Sequence, residues 1–299
     1  MPATKLYERA IEKLLLVAAA VAMVSVALIT VFVFANGMPA IAASGPGDFL
    51  LGAKWRPTAG SYGILPLICG TLSVTGLALL LGVPTGIASA VFLADMLHKK
   101  AAALFKFAIE LLAGIPSVVY GFFGLIVIVP MVKKTFLPAM QLFDRQAASN
   151  GFSIMAGGIV LAIMILPTVV SLSENAISSV PGDYREASYA IGAGRRETAI
   201  HVLIPAAKSG ILASIILGMG RAIGETMAVL LITGNVAMIP KTILDPAATL
   251  TGTIALEMGY ADAAHQQALF AVGIVLFCII FVLNIAARFI ASRMGSAGR

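Results

Sequence analysis

An arginine and a glutamate lie four residues apart, at Arg221 and Glu225, inside an otherwise apolar stretch. On a helix, this spacing places both side chains on the same face. The planar fork of arginine can donate two hydrogen bonds at once to a tetrahedral oxyanion. A charge at membrane depth costs about 2.5–3.5 kcal/mol on insertion scales and usually marks a transport path, although a purely structural ion pair is the alternative. We therefore predict that Arg221 and Glu225 line an anion path.

The composition shows why this stretch is interpreted as a membrane span. Of the 299 residues, 60% are hydrophobic and 11% are charged, whereas soluble domains have about 45–50% apolar and about 25% charged residues. The chain is therefore predicted to be an all-α integral membrane protein, with spans of about 20 apolar residues. Six such runs cover approximately residues 14–35, 64–93, 107–132, 153–171, 211–232 and 268–290.

The loop charges predict the orientation of these spans. Lysine and arginine are concentrated in the N-terminus, in the loops after the second and fourth spans, and in the C-terminal tail. The opposite side has fewer, namely Lys54, Arg56, Lys133, Lys134, Arg145 and Lys241. Because positive residues favour the cytoplasm, we expect residues 1–13 and 291–299 to be cytoplasmic. The same rule explains the net charge of +6 without invoking nucleic acid.

The first span is also long enough to be a retained anchor. Its apolar run exceeds 20 residues, whereas the apolar region of a cleaved signal peptide has about 7–15 residues. We therefore expect it to stay in the membrane, within a transmembrane domain of residues 14–290.

A polar segment, residues 176–208, follows the fourth span on the predicted cytoplasmic side. Asp183 and Glu186 have the spacing of a capping box, which predicts the start of a short helix. Glycines at 192 and 194 indicate a sharp turn, and Pro205 ends a second short helix over residues 195–203. The segment is either an ordinary interfacial loop with basic residues at the headgroups or a docking element for a cytoplasmic partner.

The spacing within this segment resembles a known motif. Glu186-Ala187-Ser188 is followed after three residues by Gly192, and after nine more by Val202-Leu203-Ile204-Pro205. This pattern resembles the EAA motif of ABC importer permeases, with mild departures at Ser188, Val202 and Ile204. The resemblance implies a coupling helix that fits a cleft on a separate ATPase subunit. The residues that it implicates in ATPase coupling are Glu186, Ala187, Gly192, Gly194, Arg195, Arg196 and Pro205.

Further stretches resemble the PstC-type permeases of bacterial phosphate-specific ABC importers. They are GMGRAIGETMAVLLITGN at 218–235, AGIPSVVYG at 113–121 and FLLGAKWRP at 49–57. The PstA-type partner permease shares the EAA loop, but MAVLLITGN and the tryptophan-bearing segment favour the PstC type. The resemblance implies the six-helix type I ABC importer permease fold and inorganic phosphate as substrate. It also implies a PstA-type permease, a PstB-type ATPase dimer and a PstS-type extracytoplasmic phosphate-binding protein as partners.

Ser117, Tyr120 and Thr226 are weaker candidates for the anion path. Pro116 leaves a carbonyl without its helical partner at membrane depth, and that carbonyl could face the path. A kink that a neighbouring side chain fills explains the same residues equally well. From Pro205 to Arg221, a helix would rise about 23 Å, so we expect the fifth span to carry a tilt of the loop to the path as one rod.

No G-x-x-x-x-G-K-[ST] loop is present, so we expect no enzyme activity and no bound cofactor in this chain, with ATP-Mg used by the ATPase subunits. His98, His201 and His265 lack metal-ligand spacing, and Cys69 and Cys278 lie in apolar runs.

Three alternatives to a phosphate permease stay open. They are a permease for sulfate, molybdate or tungstate, a secondary transporter, and a non-transporting scaffold. Inverted repeats would indicate a secondary transporter, and we find none in the sequence.

Overall fold

The computed structural model describes residues 2–141 and 150–296, which are almost entirely helical. The helices of the first half are α1 Pro2–Ser44, α2 Pro46–Leu51, α3 Leu65–Val91, α4 Lys99–Ala113, α5 Ser117–Phe123, α6 Val129–Gln141 and α7 Ile154–Ser178. Those of the second half are α8 Gly182–Ala190, α9 Arg195–Thr198, α10 Ile204–Ala206, α11 Lys208–Gly224, α12 Met227–Ile232, α13 Leu250–Glu257 and α14 Ala263–Ser296. Two of the basic residues used to predict the orientation, Arg145 and, in the C-terminal tail, Arg299, lie outside the described residues.

Among the described residues, three π-helical turns and one β-hairpin lie between or beside these helices. The π turn Phe92–Met96 extends α3, Gly124–Ile128 joins α5 to α6, and Ala199–Leu203 joins α9 to α10. Strands β1 Trp55–Arg56 and β2 Ser61–Tyr62 pair antiparallel, and a 3-10 turn, Pro57–Ala59, connects them.

Among the described residues, five helical segments are long and apolar enough to cross a membrane, and a bent pair makes a sixth if it is counted as one span. The five are Ile11–Ser44, Leu65–Met96, Ser117–Phe136, Ile154–Ser178 and Ala263–Phe289. The bent pair is Arg195–Ala206 with Lys208–Gly224, at an angle of 74°. The structure therefore agrees with up to six spans. Their bounds differ from the predicted ones, and the third and fifth are also interrupted by helix breaks.

The third span was predicted to be one run over residues 107–132, and this is wrong. Helix α4 ends at Ala113 and a new helix, α5, begins at Ser117. Pro116 has no amide hydrogen to donate and restricts the residue before it, so the chain breaks there. Residues 107–113 thus belong to α4, and the apolar crossing starts after the break.

The fifth span is also interrupted, so the rod predicted from Pro205 to Arg221 is wrong in extent. The bend falls at Ala207, which leaves Pro205 in α10 on the other side of it. Helix α11 then runs straight to Gly224, and Glu225 adopts an extended conformation with φ −69° and ψ 132°. Only α11 can therefore move as one rod with Arg221.

Helices α3 and α7 pack closely at the centre of the fold. A Cβ atom added at Gly82 would lie 2.8 Å from Ile165 Cδ1, and one added at Gly158 would lie 2.6 Å from Leu77 Cδ2. Small residues let helix backbones approach each other in membranes, where packing rather than hydrophobic burial drives association. Helix α11 lies against this pair, which forms the support for the site.

A hydrogen-bonded cluster ties the hairpin to the last two helices. Trp55 Nε1 donates to Glu257 Oε2 at 3.0 Å, and His265 Nε2 lies 2.7 Å from the same oxygen. His265 is buried and also contacts the rings of Trp55 and Tyr62. The tryptophan-bearing segment is thus anchored to α13 and α14 at one end of the bundle.

Candidate functional site

The break between α11 and α12 is stabilised by specific hydrogen bonds. The carboxylate of Glu225 accepts a hydrogen bond from the Ala228 amide at 3.2 Å, so it caps α12. The Thr251 hydroxyl donates to the Glu225 carbonyl at 2.9 Å, and the Thr226 hydroxyl donates to the Gly224 carbonyl at 3.3 Å. Backbone groups freed at membrane depth need such partners. The interruption is therefore a built part of the fold.

Arg221 and Glu225 do not share a helix face, contrary to the prediction from their spacing. Helix α11 ends at Gly224, so the four-residue rule no longer applies to Glu225. Across residues 2–141 and 150–296, no ion pair joins the two side chains. Arg221 is exposed, and its Nη1 donates to Thr168 Oγ1 at 3.5 Å, the outer limit of a hydrogen bond. Among the described residues, Thr168 is the one hydrogen-bond acceptor found for its five N–H donors.

Tyr120 compensates for the helix break at Pro116. A helix would have paired the residue-116 amide with the Leu112 carbonyl, but proline has no amide hydrogen. The Tyr120 hydroxyl donates to that carbonyl instead, at 2.8 Å, and the tyrosine is buried. This geometry supports the structural explanation of Tyr120. The tyrosine also lies within range of an electrostatic interaction with Arg221. Ser117 is half-buried at the start of α5.

The two helix breaks lie side by side because α5 packs against α12. A Cβ added at Gly121 would lie 2.7 Å from Leu231 Cδ1 and 3.1 Å from the Ala228 Cα. The structure thus brings Arg221, Glu225, Thr226 and Tyr120 into one region. Sequence reasoning missed Thr168 and Thr251, whose only signal is that they are hydroxyl residues in apolar surroundings.

The loop from Gly234 to Thr249 supports this region from the other end of α12. The Asn235 side chain donates to the Leu230 carbonyl at 2.6 Å, while its own φ is +51°. Asp245 accepts hydrogen bonds from the Lys241 and Thr242 amides. Burial disfavours the charged form of Asp245, but these hydrogen bonds outweigh it and hold the pKa of the carboxyl below its usual value.

The predicted coupling segment forms two short helical pieces joined by a glycine turn. Gly192 has a φ of +89°, which is the left-handed conformation that the predicted turn needs. The capping box at Asp183 is wrong, because Pro181 occupies the N-cap position and Asp183 lies within the first turn of α8. The carboxylate of Glu197 instead accepts a hydrogen bond from the Gly194 amide at 2.9 Å.

The residues that the EAA resemblance implicates are all exposed. They are Glu186, Ala187, Gly192, Gly194, Arg195, Arg196 and Pro205. A cavity of about 750 Å³ lies between the start of α8 and the bend at Ala207, with Tyr184, His201 and Lys208 among its lining residues. The predicted coupling segment is therefore accessible in this chain.

The departure from the motif at Ser188 has a structural role. Ser188 Oγ and Thr198 Oγ1 lie 2.8 Å apart, and both residues are buried. We expect Ser188→Ala to destabilise the protein by about 1–3 kcal/mol, because it leaves the buried Thr198 hydroxyl without a partner. Thermal unfolding of the purified protein measures this. The Ser188→Ala/Thr198→Val double variant should recover most of the loss, and equal unfolding temperatures for the single variant and the unmodified protein would contradict the prediction.

Gly192 and Gly194 offer a matched pair for testing the turn. We expect Gly192→Ala to cost about 1–2 kcal/mol, because a side chain disfavours the left-handed conformation. Gly194 has φ −77° and ψ 165°, which any residue adopts, so Gly194→Ala is the control. The midpoint of thermal unfolding should fall for the first variant only. Equal behaviour of the two variants would show that the turn can rearrange.

Comparison with known proteins identifies the family of the chain. Residues 82–296 match the family of the binding-protein-dependent transport system inner membrane component. The chain belongs to this family. It is thus an ABC transporter permease with several membrane-spanning helices, located in the inner membrane.

Relatives agree with this assignment, and a solved structure shares the fold. The permease is 38% identical over 286 residues to the probable ABC transporter permease protein YqgH of Bacillus subtilis. The matched region covers 94% of this chain and 87% of the relative. It is 34% identical to the phosphate transport system permease protein PstC of Haemophilus influenzae, over 83% of this chain and 82% of the relative. A bacterial alginate ABC transporter, solved in complex with its alginate-pentasaccharide-bound periplasmic protein, shares the fold with a TM-score of 0.56 at 16% identity, over 91% of this chain and 94% of that chain.

Proposed function

We propose that this permease imports inorganic phosphate by alternating access, driven by ATP hydrolysis in separate subunits. The observation that carries the proposal is the exposed Arg221 guanidinium beside the helix break, held only by a 3.5 Å hydrogen bond to Thr168 among the described residues. Charge-assisted bonds from arginine suit a tetrahedral oxyanion. A second permease subunit facing this surface would enclose the anion between the two chains.

The relatives favour phosphate among the oxyanions. The Haemophilus influenzae relative is named as a phosphate transport permease, and so is one of Mesorhizobium japonicum that is 33% identical over 93% of this chain. The Bacillus subtilis relative carries only a general permease name. Sulfate, molybdate and tungstate have the same tetrahedral shape, so Arg221 by itself does not distinguish among them.

The partners follow from the surfaces that the chain presents. The exposed coupling segment around Glu186 and Arg195 would dock on a PstB-type ATPase dimer, which uses ATP-Mg. A PstA-type permease would be the second membrane subunit, and a PstS-type binding protein would deliver phosphate to the hairpin side. The solved alginate transporter includes a periplasmic protein of the same general kind. In this arrangement both termini are cytoplasmic.

The two other hypotheses make different experimental predictions. Interrupted spans that bind substrate also occur in secondary transporters, and the breaks at Pro116 and Glu225 fit that description. Such a transporter would move the anion without ATPase subunits. A scaffold would show neither anion flux nor ATP hydrolysis that depends on the anion.

Reconstitution tests the proposal directly. The permease is placed in liposomes with its PstA-, PstB- and PstS-type partners, and uptake of radiolabelled phosphate is followed with and without ATP. We expect ATP-dependent uptake that excess phosphate suppresses more strongly than excess sulfate, molybdate or tungstate. Stronger competition by one of those anions would reassign the substrate, and ATP-independent uptake would favour the secondary transporter.

A further inference from the structure

A buried carboxylate connects the coupling helix to the body of the permease. Asp95 lies in the π turn that extends α3, and its side chain is only 5% exposed. Its Oδ1 accepts a hydrogen bond from Arg185 Nε at 3.2 Å. Arg185 lies on α8, immediately before Glu186 of the motif. This ion pair spans 90 residues of sequence and joins α8 to α3.

The second oxygen of this carboxylate is unsatisfied. Asp95 Oδ2 is buried and has no hydrogen-bond partner among the described residues. A buried ion pair stabilises a fold only when its remaining lone pairs are also satisfied, so this arrangement is not the best one available to the pair. An unsatisfied buried acceptor calls for a specific explanation.

Arg185 contains the donor that could satisfy this oxygen. Its Nη2 lies on the same edge of the guanidinium as Nε, and that edge can bind both oxygens of a carboxylate at once. In the structure, Nη2 donates instead to the Ile177 carbonyl, at a long 3.4 Å. The Val180 amide also donates to this carbonyl, at 3.3 Å, so Ile177 keeps a partner if Arg185 leaves.

We propose that Asp95 and Arg185 form a two-position link that couples movement of α8 to α3. In one position Nη2 binds the end of α7 at Ile177, as observed, and in the other it binds Asp95 Oδ2 to complete a two-bond pair. A shift of α8 on its ATPase partner exchanges these acceptors. Both residues are positioning residues, because they act on the anion path through α3 and do not touch the anion.

The packing gives this link a route to the site. Helix α3 packs along α7, whose Thr168 contacts Arg221, and α11 lies against both helices. The bend at Ala207 separates the coupling segment from α11, so the direct rod is interrupted and a side-chain link to α3 offers a second connection. The inference rests on the proposed coupling to an ATPase, but it does not depend on which oxyanion is carried.

The test measures ATP hydrolysis and phosphate uptake in the same reconstituted liposomes. We expect Asp95→Asn and Arg185→Lys each to raise the ATP hydrolysed per phosphate imported by about fivefold or more, the lower range of coupling between sites. Asparagine keeps the size of Asp95 but removes its charge. Lysine keeps the charge of Arg185 but cannot bind two acceptors along one edge. Because the two residues act together, the double variant should be no worse than the worse single variant.

Glu174→Gln is the matched control. It weakens another interhelical ion pair, between Lys106 and Glu174 at 2.8 Å, which joins α4 to α7 without touching α8. Its ATP-to-phosphate ratio should match that of the unmodified complex. Copurification of all subunits shows that each variant assembles, and Arg185→Lys alone decides the matter if Asp95→Asn does not assemble.

Two results would overturn the link. One is an unchanged ratio in an assembled Arg185→Lys complex, and the other is a double variant whose effects simply add. If the unmodified complex imports sulfate, molybdate or tungstate instead of phosphate, the ratio is taken against that anion. Failure of the substrate assignment is thereby distinguished from failure of the link.

Discussion

Replacing Arg221 by glutamine should reduce anion uptake by about a hundredfold or more, because it removes at least two hydrogen bonds to a charged group, each worth about 1.5–3 kcal/mol. Glutamine keeps a polar side chain, but it is shorter than arginine and has no charge. Arg221 is exposed and forms no ion pair within the described residues, so its loss leaves no buried charge unpaired. The complex should therefore assemble normally. Uptake of radiolabelled phosphate by the reconstituted complex measures the effect.

Two further variants make this result specific. Arg221→Lys keeps the charge but loses the fork, so we expect uptake between those of the unmodified permease and the glutamine variant. Arg288 is another exposed arginine, near the end of α14, and Arg288→Gln should leave uptake unchanged. Normal uptake by an assembled Arg221→Gln complex would remove Arg221 from the path and return it to a structural role.

Replacing Glu225 by glutamine should weaken discrimination between phosphate and sulfate by about tenfold, the equivalent of one hydrogen bond to a charged group. A protonated phosphate oxygen can donate to the Glu225 carboxylate, whereas fully deprotonated sulfate has no proton to donate. Glutamine still presents an oxygen to the Ala228 amide, so the cap of α12 survives the change. The measurement is the ratio of phosphate to sulfate uptake rates under identical conditions.

The controls separate recognition from capping. Glu225→Ala removes both the charge and the cap. The stability that it loses beyond that of Glu225→Gln measures the contribution of the cap. Thr251→Val removes the hydrogen bond to the Glu225 carbonyl without changing any charge and should preserve the anion ratio. If the ratio is the same in Glu225→Gln and the unmodified permease, Glu225 serves only to cap α12.

Local signals predicted the membrane architecture and the turn of the coupling segment. Apolar runs of bilayer length mark the spans by themselves, because the cost of leaving backbone groups unpaired in lipid enforces helices there. The glycine at 192 predicted a sharp turn, and the structure gives it the left-handed conformation that few other residues adopt without strain. The same reasoning failed at Asp183, where Pro181 begins the helix earlier and the capping geometry does not form.

The interrupted helices depended on residues far away in the chain. The apolar run from 211 to 232 has no proline, so its sequence alone predicts one continuous helix. The run breaks at Glu225 because Thr251, 26 residues later, satisfies the freed carbonyl, and because Glu225 itself caps the next helix. Local spacing contains no information about such a distant partner.

Apolar runs and motif spacing were enough to predict a helical membrane permease, and they marked the proposed coupling segment and the arginine proposed to bind the anion. Packing between distant segments separates Arg221 from Glu225 and brings Asp95 to Arg185 across 90 residues. Hydropathy and turn preference act over a few neighbouring residues, so they predict neither result. Where a helix stops in the membrane, and which charge meets which, depends on partners that packing brings together.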